Sequence, residues 1–354
     1  MEVLTPINVR RAARSRIGEV NFNELEFGRH ISDHMLVCDY AAGGWGRPGI
    51  VPFGNLVLSP AALALHYGQT VFEGMKAFRM RDGNINIFRI EKHYQRFARS
   101  LQRMCMEVIP KEIFMEGLCR LVELDRQWIP TTQGDALYLR PFMFASEARF
   151  GVKVSEEYRF MVFTGPVPSL YTEPIRVKIE TEYIRAARGG AGSAKCGGNY
   201  GGAFFATRQA KKEGYDQVIW MGGEGNRFVE ESGTMNIMFV IDNVLVTPPV
   251  SDSILDGVTR DCLLTIADNL SYNTEVRPIS LQELEAAFKN HTITEAFGAG
   301  TAAVVSPIGT IQINGVDHSL PPVSASSISQ RLKHRLDRIR TGREEDVFGW
   351  NYVI

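Results

Sequence analysis

The chain has 354 residues, a length that is typical of two domains. Its 44% hydrophobic and 22% charged residues are those of an ordinary globular protein, and a net charge of −1 argues against a general nucleic-acid binder. No apolar run reaches the ~18–20 residues that a membrane-spanning helix needs.

Residues 1–165 are predicted to form a smaller N-terminal α/β domain. The basic segment from Arg10 to Arg16 is not followed by an apolar region, so we interpret it as a solvated arm of a cytoplasmic protein, with an organelle-targeting peptide as the alternative. Ser59-Pro60 is a helix start of the capping type. The predicted elements are strands and turns over 27–58, a helix over 59–68, paired strands over 71–78 and 85–88, helices over 91–104 and 111–127, and strands over 136–144 and 158–164.

Residues 166–175 contain three prolines and are predicted to be an interdomain linker. Residues 176–354 are predicted to form the larger C-terminal α/β domain. Its predicted strands cover 176–183, 217–221, 228–241, 244–247 and 292–307, and the last of them is interrupted at 298–300. Its predicted helices cover 200–214, 258–269, 281–288 and 328–339. The pattern Ser280-x-x-Glu283 is a capping box for the third of these helices. Strands and helices alternate in both halves, which indicates a mixed α/β or α+β fold.

Seven of the fourteen residues over 189–202 are glycine, and the only charge among them is Lys195. A P-loop requires glycine before the lysine and Ser or Thr after it, but Ala194 and Cys196 occupy those positions. The dinucleotide pattern Gly-x-Gly-x-x-Gly fails as well, because Lys195 stands at its third glycine. The remaining interpretations are a flexible surface loop and a loop built around a ligand of the lysine amine.

A lysine amine among glycines is suited to bind pyridoxal phosphate as a Schiff base. That cofactor needs a carboxylate for its pyridine nitrogen and amides or cations for its phosphate. The five cysteines are odd in number and lack metal-ligand spacing, so we expect free thiols in a reducing compartment and no metal site.

The sequence pattern offers two candidate carboxylates for the pyridine nitrogen and several candidate ligands for the phosphate. Glu230 and Glu231 are neighbours in a predicted strand, so at most one faces the cofactor and the other is expected in solvent. Residues 256–259 open a helix, and 300–302 combine a glycine with a hydroxyl. A plain helix start and a β-bulge are the alternatives. Arginines at 89, 96, 99 and 103 share a helix, which is usually a solvated face.

Five motifs in order resemble the branched-chain amino acid aminotransferases, which are fold-type IV pyridoxal phosphate enzymes. They are Phe-Glu-Gly-Met-Lys-Ala-Phe at 72–78, Leu-Tyr-Leu-Arg-Pro at 137–141, Lys-Cys-Gly-Gly-Asn-Tyr-Gly at 195–201, Glu-Ser-Gly-Thr-Met-Asn at 231–236 and Phe-Gly-Ala-Gly-Thr-Ala at 297–302. The resemblance extends from about residue 33 to the C-terminal helix. It implies a two-domain fold-type IV transaminase that moves the amino group between leucine, isoleucine or valine and 2-oxoglutarate.

The resemblance also implies roles for individual residues. Lys195 is the catalytic residue, which binds the cofactor and moves the substrate's proton, and Glu231 is the partner of the pyridine nitrogen. The other implied cofactor ligands are Arg96, Tyr200, Thr234, Val258, Thr259 and Thr301. The implied substrate-binding residues are Tyr67, Phe72, Tyr138, Arg140, Tyr171, Thr301 and Ala302.

In the family a loop of the partner subunit covers the pocket, which implies a homodimer in which Phe150 and Val152 serve that purpose. Arg140 follows Tyr138 by two residues, so both side chains face the same way and Arg140 is predicted to bind the distal carboxylate of glutamate. The alternative for Arg140 is a structural ion pair.

The chain departs from the family pattern at three places. Phe150 replaces a common leucine, Asp256 replaces a common proline, and no Cys-x-x-Cys follows Ala302. A D-amino acid transaminase, an aminodeoxychorismate lyase and a non-enzymatic small-molecule binder on the same scaffold are the alternative functions.

Overall fold

The structure is a computed structural model that describes residues 6–169, 173–223, 225 and 227–354. The predicted substrate residue Tyr171, the linker residues 170–172 and the residues Glu224 and Asn226 between two predicted strands lie outside the described residues. Among the residues that are described, no helix is both long enough and apolar enough to span a membrane.

Helices and strands alternate along the described chain, and the predicted mixed α/β class is confirmed. The helices are α1 (Leu63–Tyr67), α2 (Ile90–Arg103), α3 (Lys111–Leu124), α4 (Gly197–Lys212), α5 (Val258–Asn269), α6 (Leu281–Lys289) and α7 (Ile328–Arg340). The strands are β1 (Asn8–Val9), β2 (His34–Ala41), β3 (Gly44–Trp45), β4 (Gly49–Pro52), β5 (Thr70–Phe72), β6 (Met75–Arg79), β7 (Ile85–Phe88), β8 (Ala136–Ala145), β9 (Tyr158–Val167), β10 (Ile175–Glu180), β11 (Gln217–Gly222), β12 (Phe228–Ser232), β13 (Met235–Ile241), β14 (Val244–Thr247), β15 (Thr274–Val276), β16 (Ile293–Gly300), β17 (Val304–Ile313), β18 (Val316–Ser319) and β19 (Asn351–Val353).

The chain divides into two compact units. The first comprises Met1–Ser169, Ala194–Gly198 and Ile339–Ile354, and the second comprises Leu170–Ser193 and Asn199–Arg338. In the prediction each domain is one continuous stretch, whereas here two later segments belong to the first unit. The reason is strand pairing, because β19 pairs antiparallel with β7, and Cys196 forms a bridge with Val71. The predicted boundaries themselves stay a prediction.

The first unit is built on a sheet with the strand order β1-β4-β2-β9-β8-β6-β7-β19, to which β3 and β5 add at β2 and β8. Helices α2 and α3 pack against β9 through aromatic rings. The ring centroid of Phe97 lies 5.8 Å from those of both Phe114 and Phe160. All three rings are fully buried, so burial of this aromatic cluster fixes α2 on the sheet.

The sheet of the second unit has the order β12-β11-β10-β17-β16-β13-β14-β15, with β18 on β17. Because β12 also pairs with β13, the strands from β10 to β13 together with β16 and β17 close into a ring. Apolar side chains of this ring form a continuous core with α6, including Ile237, Phe239 and Leu284. Helix α4 packs on β11 through Ala206, Ala210 and Trp220.

Several local predictions are confirmed and others are wrong. The Ser280 N-cap of the predicted capping box is confirmed, since its hydroxyl accepts a hydrogen bond from the Glu283 amide at 3.1 Å, whereas the Glu283 carboxylate accepts from Arg277. The helix predicted from Ser59 begins only at Leu63, because the Ser59 hydroxyl instead accepts from the Ala61 amide in a preceding turn. The strand predicted over 71–78 is broken at Glu73 and Gly74.

Two further differences affect predicted site segments. The helix expected from Tyr200 begins at Gly197, which places Tyr200 in its first turn. The break expected at 298–300 lies instead at residues 301–303, because Gly298 and Ala299 pair in register with Ile237 and Asn236 as part of β16.

Candidate active site

The backbone of Lys195 is anchored on both sides within the first unit. Its amide donates to the Ser100 hydroxyl of α2 at 3.0 Å, and its carbonyl accepts from the Phe72 amide at the end of β5 at 2.9 Å. Ser100 is itself fixed, because its hydroxyl donates to the Arg96 carbonyl one turn earlier on α2 at 2.9 Å. The lysine therefore lies on a backbone with a defined position, which argues against the flexible-loop alternative.

The amine of Lys195 lies above an aromatic ring and near a buried charged cluster. Its Nζ atom is 4.7 Å from the ring centroid of Phe72. Burial lowers the pKa of His93, the neighbouring Glu73 opposes this, and the charges of Arg96 and Lys195 lower the pKa further. His93 is consequently neutral in the folded protein at neutral pH.

Arg96, a predicted phosphate ligand, is paired with a carboxylate that the sequence analysis did not identify. Its Nε donates to Glu73 at 2.8 Å, and its Nη2 donates to the second oxygen of the same carboxylate. Glu73 also accepts from His93 Nδ1 at 3.2 Å and from the Gly74 amide at 2.7 Å. Burial alone would raise the pKa of Glu73, but Arg96 and His93 hold it well below its usual range.

The sequence signal that could have identified Glu73 is a carboxylate in an otherwise apolar predicted strand. Buried charges are rare unless they are paired, so such a carboxylate is expected to have a cationic partner. The helix arginines also differ from a uniformly solvated face. Arg96 is buried, Arg89 is half-buried, and Arg99 and Arg103 are exposed. Arg96 is therefore the one buried side chain among these four arginines.

The predicted substrate residues Phe72, Tyr138 and Arg140 lie together in the first unit. The Arg140 guanidinium is 5.0 Å from the ring centroid of Phe72 and 5.2 Å from that of Tyr138. Its Nη2 donates to the Tyr138 hydroxyl at 3.1 Å, so the expected common face is confirmed. Its buried Nε makes no hydrogen bond within the described part of the chain.

The remaining predicted substrate residues of this unit are Tyr67, Phe150 and Val152. The Tyr67 hydroxyl donates to the Phe150 carbonyl. The side chains of Phe150 and Val152 are 85% and 82% exposed. This exposure is unusual for large apolar residues, and Phe150 and Val152 lie on the segment expected to reach a partner subunit.

In the second unit, Glu231 belongs to one row of paired residues across the sheet. Glu231 pairs with Asn236, and Asn236 pairs with Ala299. Residues directly opposite each other in a sheet share a face, so Glu231 and Asn236 point the same way. The Glu231 carboxylate accepts from the Leu255 amide at 2.7 Å, and the Asn236 amide donates to the Leu255 carbonyl at 2.8 Å.

These two bonds position the N-terminus of α5, which carries Val258 and Thr259. Gly257 is its N-cap, and a Cβ there would lie 1.8 Å from the Asn236 Oδ1 atom, so a larger residue would displace the Asn236 side chain. The first-turn amides of a helix have no partner within the helix, and they favour an anion. Glu231 and the predicted phosphate segment are thus brought together in the second unit.

The other predicted ligands of the second unit lie at turns and on α4. Thr234 is exposed in the turn between β12 and β13, while Thr301 and Ala302 are half-buried in the turn between β16 and β17. Tyr200 is half-buried on α4.

Burial lowers the pKa of Arg260, and the charge of Asp256 opposes this in part.

Glu230 is the clearest error of the sequence analysis in this region. It was expected in solvent, but its side chain is only 7% exposed and accepts a hydrogen bond from the Ser253 hydroxyl. Burial raises the pKa of Glu230. Both faces of β12 are covered in the closed ring of strands. The alternation of side chains along this strand therefore does not bring either glutamate into solvent.

Comparison with known proteins places these observations in context. Residues 70–311 match the family described as Amino-transferase class IV. The chain is 41% identical over 339 residues to a protein named probable branched-chain-amino-acid aminotransferase from Staphylococcus aureus (strain N315), with 94% of each chain covered.

Solved structures are similar over nearly the whole chain as well. The branched-chain aminotransferase of Thermoproteus uzoniensis with norvaline has a TM-score of 0.73 and 26% identity, covering 90% of this chain and 99% of that one. The T.th. branched-chain amino acid aminotransferase complexed with N-(5'-phosphopyridoxyl)-L-glutamate has a TM-score of 0.71 and 26% identity, covering 89% and 97%.

Proposed function

The chain belongs to the class IV aminotransferases, in the family of branched-chain-amino-acid aminotransferases with fold type IV, and from this we propose that it transfers the amino group between branched-chain L-amino acids and 2-oxoglutarate. Leucine, isoleucine or valine would give up its amino group and become a 2-oxo acid. 2-Oxoglutarate would receive that group and become glutamate.

The donor set fits pyridoxal phosphate. Lys195 offers an amine on an anchored backbone, Glu231 offers a buried carboxylate for the ring nitrogen, and the amides of Val258 and Thr259 suit a phosphate. When bound, the cofactor supplies an electron sink for a carbanion at the substrate Cα. We propose Arg96, Tyr200, Thr234 and Thr301 as its other ligands.

Lys195 is the residue that moves the proton. Its Nζ atom takes the proton from the substrate Cα and later returns a proton, which requires the amine to be neutral for part of the cycle. The bonds from Ser100 and Phe72 to its backbone limit the positions that this amine reaches. Holding a catalytic group next to its substrate lowers the activation free energy by about 7–11 kcal/mol at most.

The substrate site must accept an aliphatic side chain and a second carboxylate. We propose that Phe72 and Tyr138 provide the apolar wall together with Tyr171, which lies outside the described residues, and that Tyr67 and Ala302 bind the substrate carboxylate. Arg140 binds the distal carboxylate of glutamate, which its unpaired Nε supports. A relative solved with a phosphopyridoxyl-L-glutamate adduct is consistent with this choice of co-substrate.

The enzyme is further proposed to act as a homodimer in which Phe150 and Val152 cover the pocket of the partner subunit. Their exposure in the single chain supports this assignment. Analytical ultracentrifugation of the purified protein measures the assembly directly, and a monomer with full activity would contradict it.

The single observation that carries the proposed function is the anchored backbone of Lys195. The purified enzyme is expected to convert leucine and 2-oxoglutarate to glutamate and to show a visible absorption band that borohydride abolishes. Peptide mapping after reduction should place the adduct on Lys195. An adduct on Lys76, Lys211 or Lys212, or turnover of D-alanine in place of leucine, would overturn the assignment.

A further inference from the structure

Arg185 lies between β10 and the glycine-rich segment, and its buried guanidinium contacts three separate parts of the second unit. Its Nε atom is 3.1 Å from a Glu231 carboxylate oxygen. Its Nη2 donates to the Gly192 carbonyl at 2.9 Å and to the Ser253 carbonyl. The sequence analysis assigned Arg185 no role.

The contact between Arg185 and Glu231 is an ion pair shielded from water. Both side chains are buried, at 7% and 3% exposure, so water does not solvate either charge and replacing one of them removes compensation from the other. Nε and the carboxylate oxygen are close but not aligned as a hydrogen bond, so the attraction is mainly coulombic. The other oxygen of Glu231 accepts from the Leu255 amide.

The same arginine joins two loops that pack closely. A Cβ on Gly192 would lie 2.5 Å from the Ser253 Cα atom, and the Ser193 amide donates to the Asp252 carbonyl at 2.8 Å. Gly192 precedes Lys195 by three residues, and Ser253 precedes Val258 by five. Arg185 therefore links the carboxylate to both segments that flank predicted cofactor ligands.

We propose that Arg185 is a positioning residue that keeps Glu231 ionised and aimed at the ring nitrogen of the cofactor. This inference rests on the proposed function. A glutamate that carries its own proton cannot stabilise a proton on the ring, and a buried carboxylate without a cation nearby tends to become protonated. The effect of Arg185 on the cofactor is assigned to Glu231 rather than to the hydrogen bonds of Arg185 with Gly192 and Ser253, and a double-mutant cycle separates the two.

The experiment measures the dissociation constant of pyridoxal phosphate from the absorbance of its visible band, titrated into cofactor-free protein. The variants are R185Q, R185K, E231Q and the double variant R185Q/E231Q. R185Q is expected to weaken binding roughly ten- to hundredfold, because a Glu231 that takes up a proton no longer stabilises a proton on the ring nitrogen. R185K keeps the charge and is expected to lose less affinity than R185Q.

The double variant decides whether Arg185 acts through Glu231. It should bind the cofactor within about twofold of E231Q alone, since the partner of Arg185 is already absent. Losses that multiply in the double variant, or an R185Q protein that binds like the parent, would overturn the inference. If R185Q fails to fold, the cycle uses R185K, E231Q and R185K/E231Q, and the smaller loss expected for R185K should be absent once Glu231 is replaced.

Two controls separate this inference from other failures. Arg277→Gln removes an arginine charge from a pair with Glu275 and Glu283 in the same unit, and it should leave the dissociation constant unchanged. A parent protein that binds no pyridoxal phosphate contradicts the proposed function, whereas a parent that binds it and an R185Q variant that binds it equally well contradict only the role of Arg185.

Discussion

At the scale of a single residue, Arg140 combines a charge with an apolar setting. Its guanidinium lies against the rings of Phe72 and Tyr138, which is a favourable arrangement for a planar cation. Among the described residues it forms no ion pair, so the alternative of a structural ion pair finds no acidic partner there. The same surface can contact an aliphatic side chain at the rings and a carboxylate at the cation.

Arg140→Met is expected to raise the KM for glutamate and 2-oxoglutarate roughly ten- to hundredfold more than the KM for leucine, because a charge-assisted contact is worth about 1.5–3 kcal/mol. Steady-state kinetics with each substrate in turn measure the difference. Tyr138→Phe is the control, since it removes the hydroxyl that accepts from Arg140 but keeps the cation. Equal losses for leucine and glutamate would place Arg140 in the scaffold.

At the scale of an element, the N-terminus of α5 is positioned by side chains from two strands. Glu231 of β12 and Asn236 of β13 bind the amide and the carbonyl of Leu255, two residues before the N-cap. The Glu-Ser-Gly-Thr-Met-Asn motif thus positions the predicted phosphate segment in addition to supplying a buried carboxylate. A close approach of Asn236 to Gly257 completes this arrangement.

Gly257→Ala is expected to destabilise the enzyme by about 1–3 kcal/mol, because the new Cβ would overlap the Asn236 side chain and force it to move. Urea unfolding of the cofactor-free protein measures this cost, and the affinity for pyridoxal phosphate should fall in parallel. Gly54→Ala is the matched control, since a Cβ there meets no atom within 4 Å. The same cost at both positions would show that the close approach at Gly257 does not matter.

At the scale of the whole molecule, buried titratable groups make folding sensitive to acid. Burial lowers the pKa of His93, and although burial raises the pKa of Glu73, Arg96 and His93 lower it by more. A group with a lowered pKa binds fewer protons in the folded state than in the unfolded state. Its contribution to stability is therefore present at higher pH and is lost as the pH falls below its unfolded value, about 6.5 for histidine and about 4.3 for glutamate.

The free energy of unfolding is expected to decrease between pH 7 and pH 5, with a slope of up to about 1.4 kcal/mol per pH unit for one histidine. Urea titrations of the cofactor-free protein at a series of pH values measure that slope. His93→Gln should flatten it, and His66→Gln, a change of the same kind at an exposed position, is the matched control. If the free energy of unfolding of His93→Gln depends on pH as steeply as that of the parent, groups other than His93 cause the acid sensitivity.

The sequence by itself determined the family, the fold class and most elements, because these depend on local patterns. Helix α3, the N-cap at Ser280 and the common face of Tyr138 and Arg140 are predicted from residues a few positions apart. The spacing of five motifs identified the family for the same reason. The roles assigned to individual site residues stay predictions.

Only the tertiary structure decided which charged side chains are buried and which groups they contact. The pairing of Glu73 with Arg96, the hydrogen bond from the Lys195 amide to Ser100 and the burial of Glu230 each depend on segments far apart in the chain. So does the meeting of Arg185 with Glu231, 46 positions later, on a strand whose two faces are both covered. A pattern of neighbours reports which residues share a face, but the desolvation and pairing of a charge are set by what packs against that face.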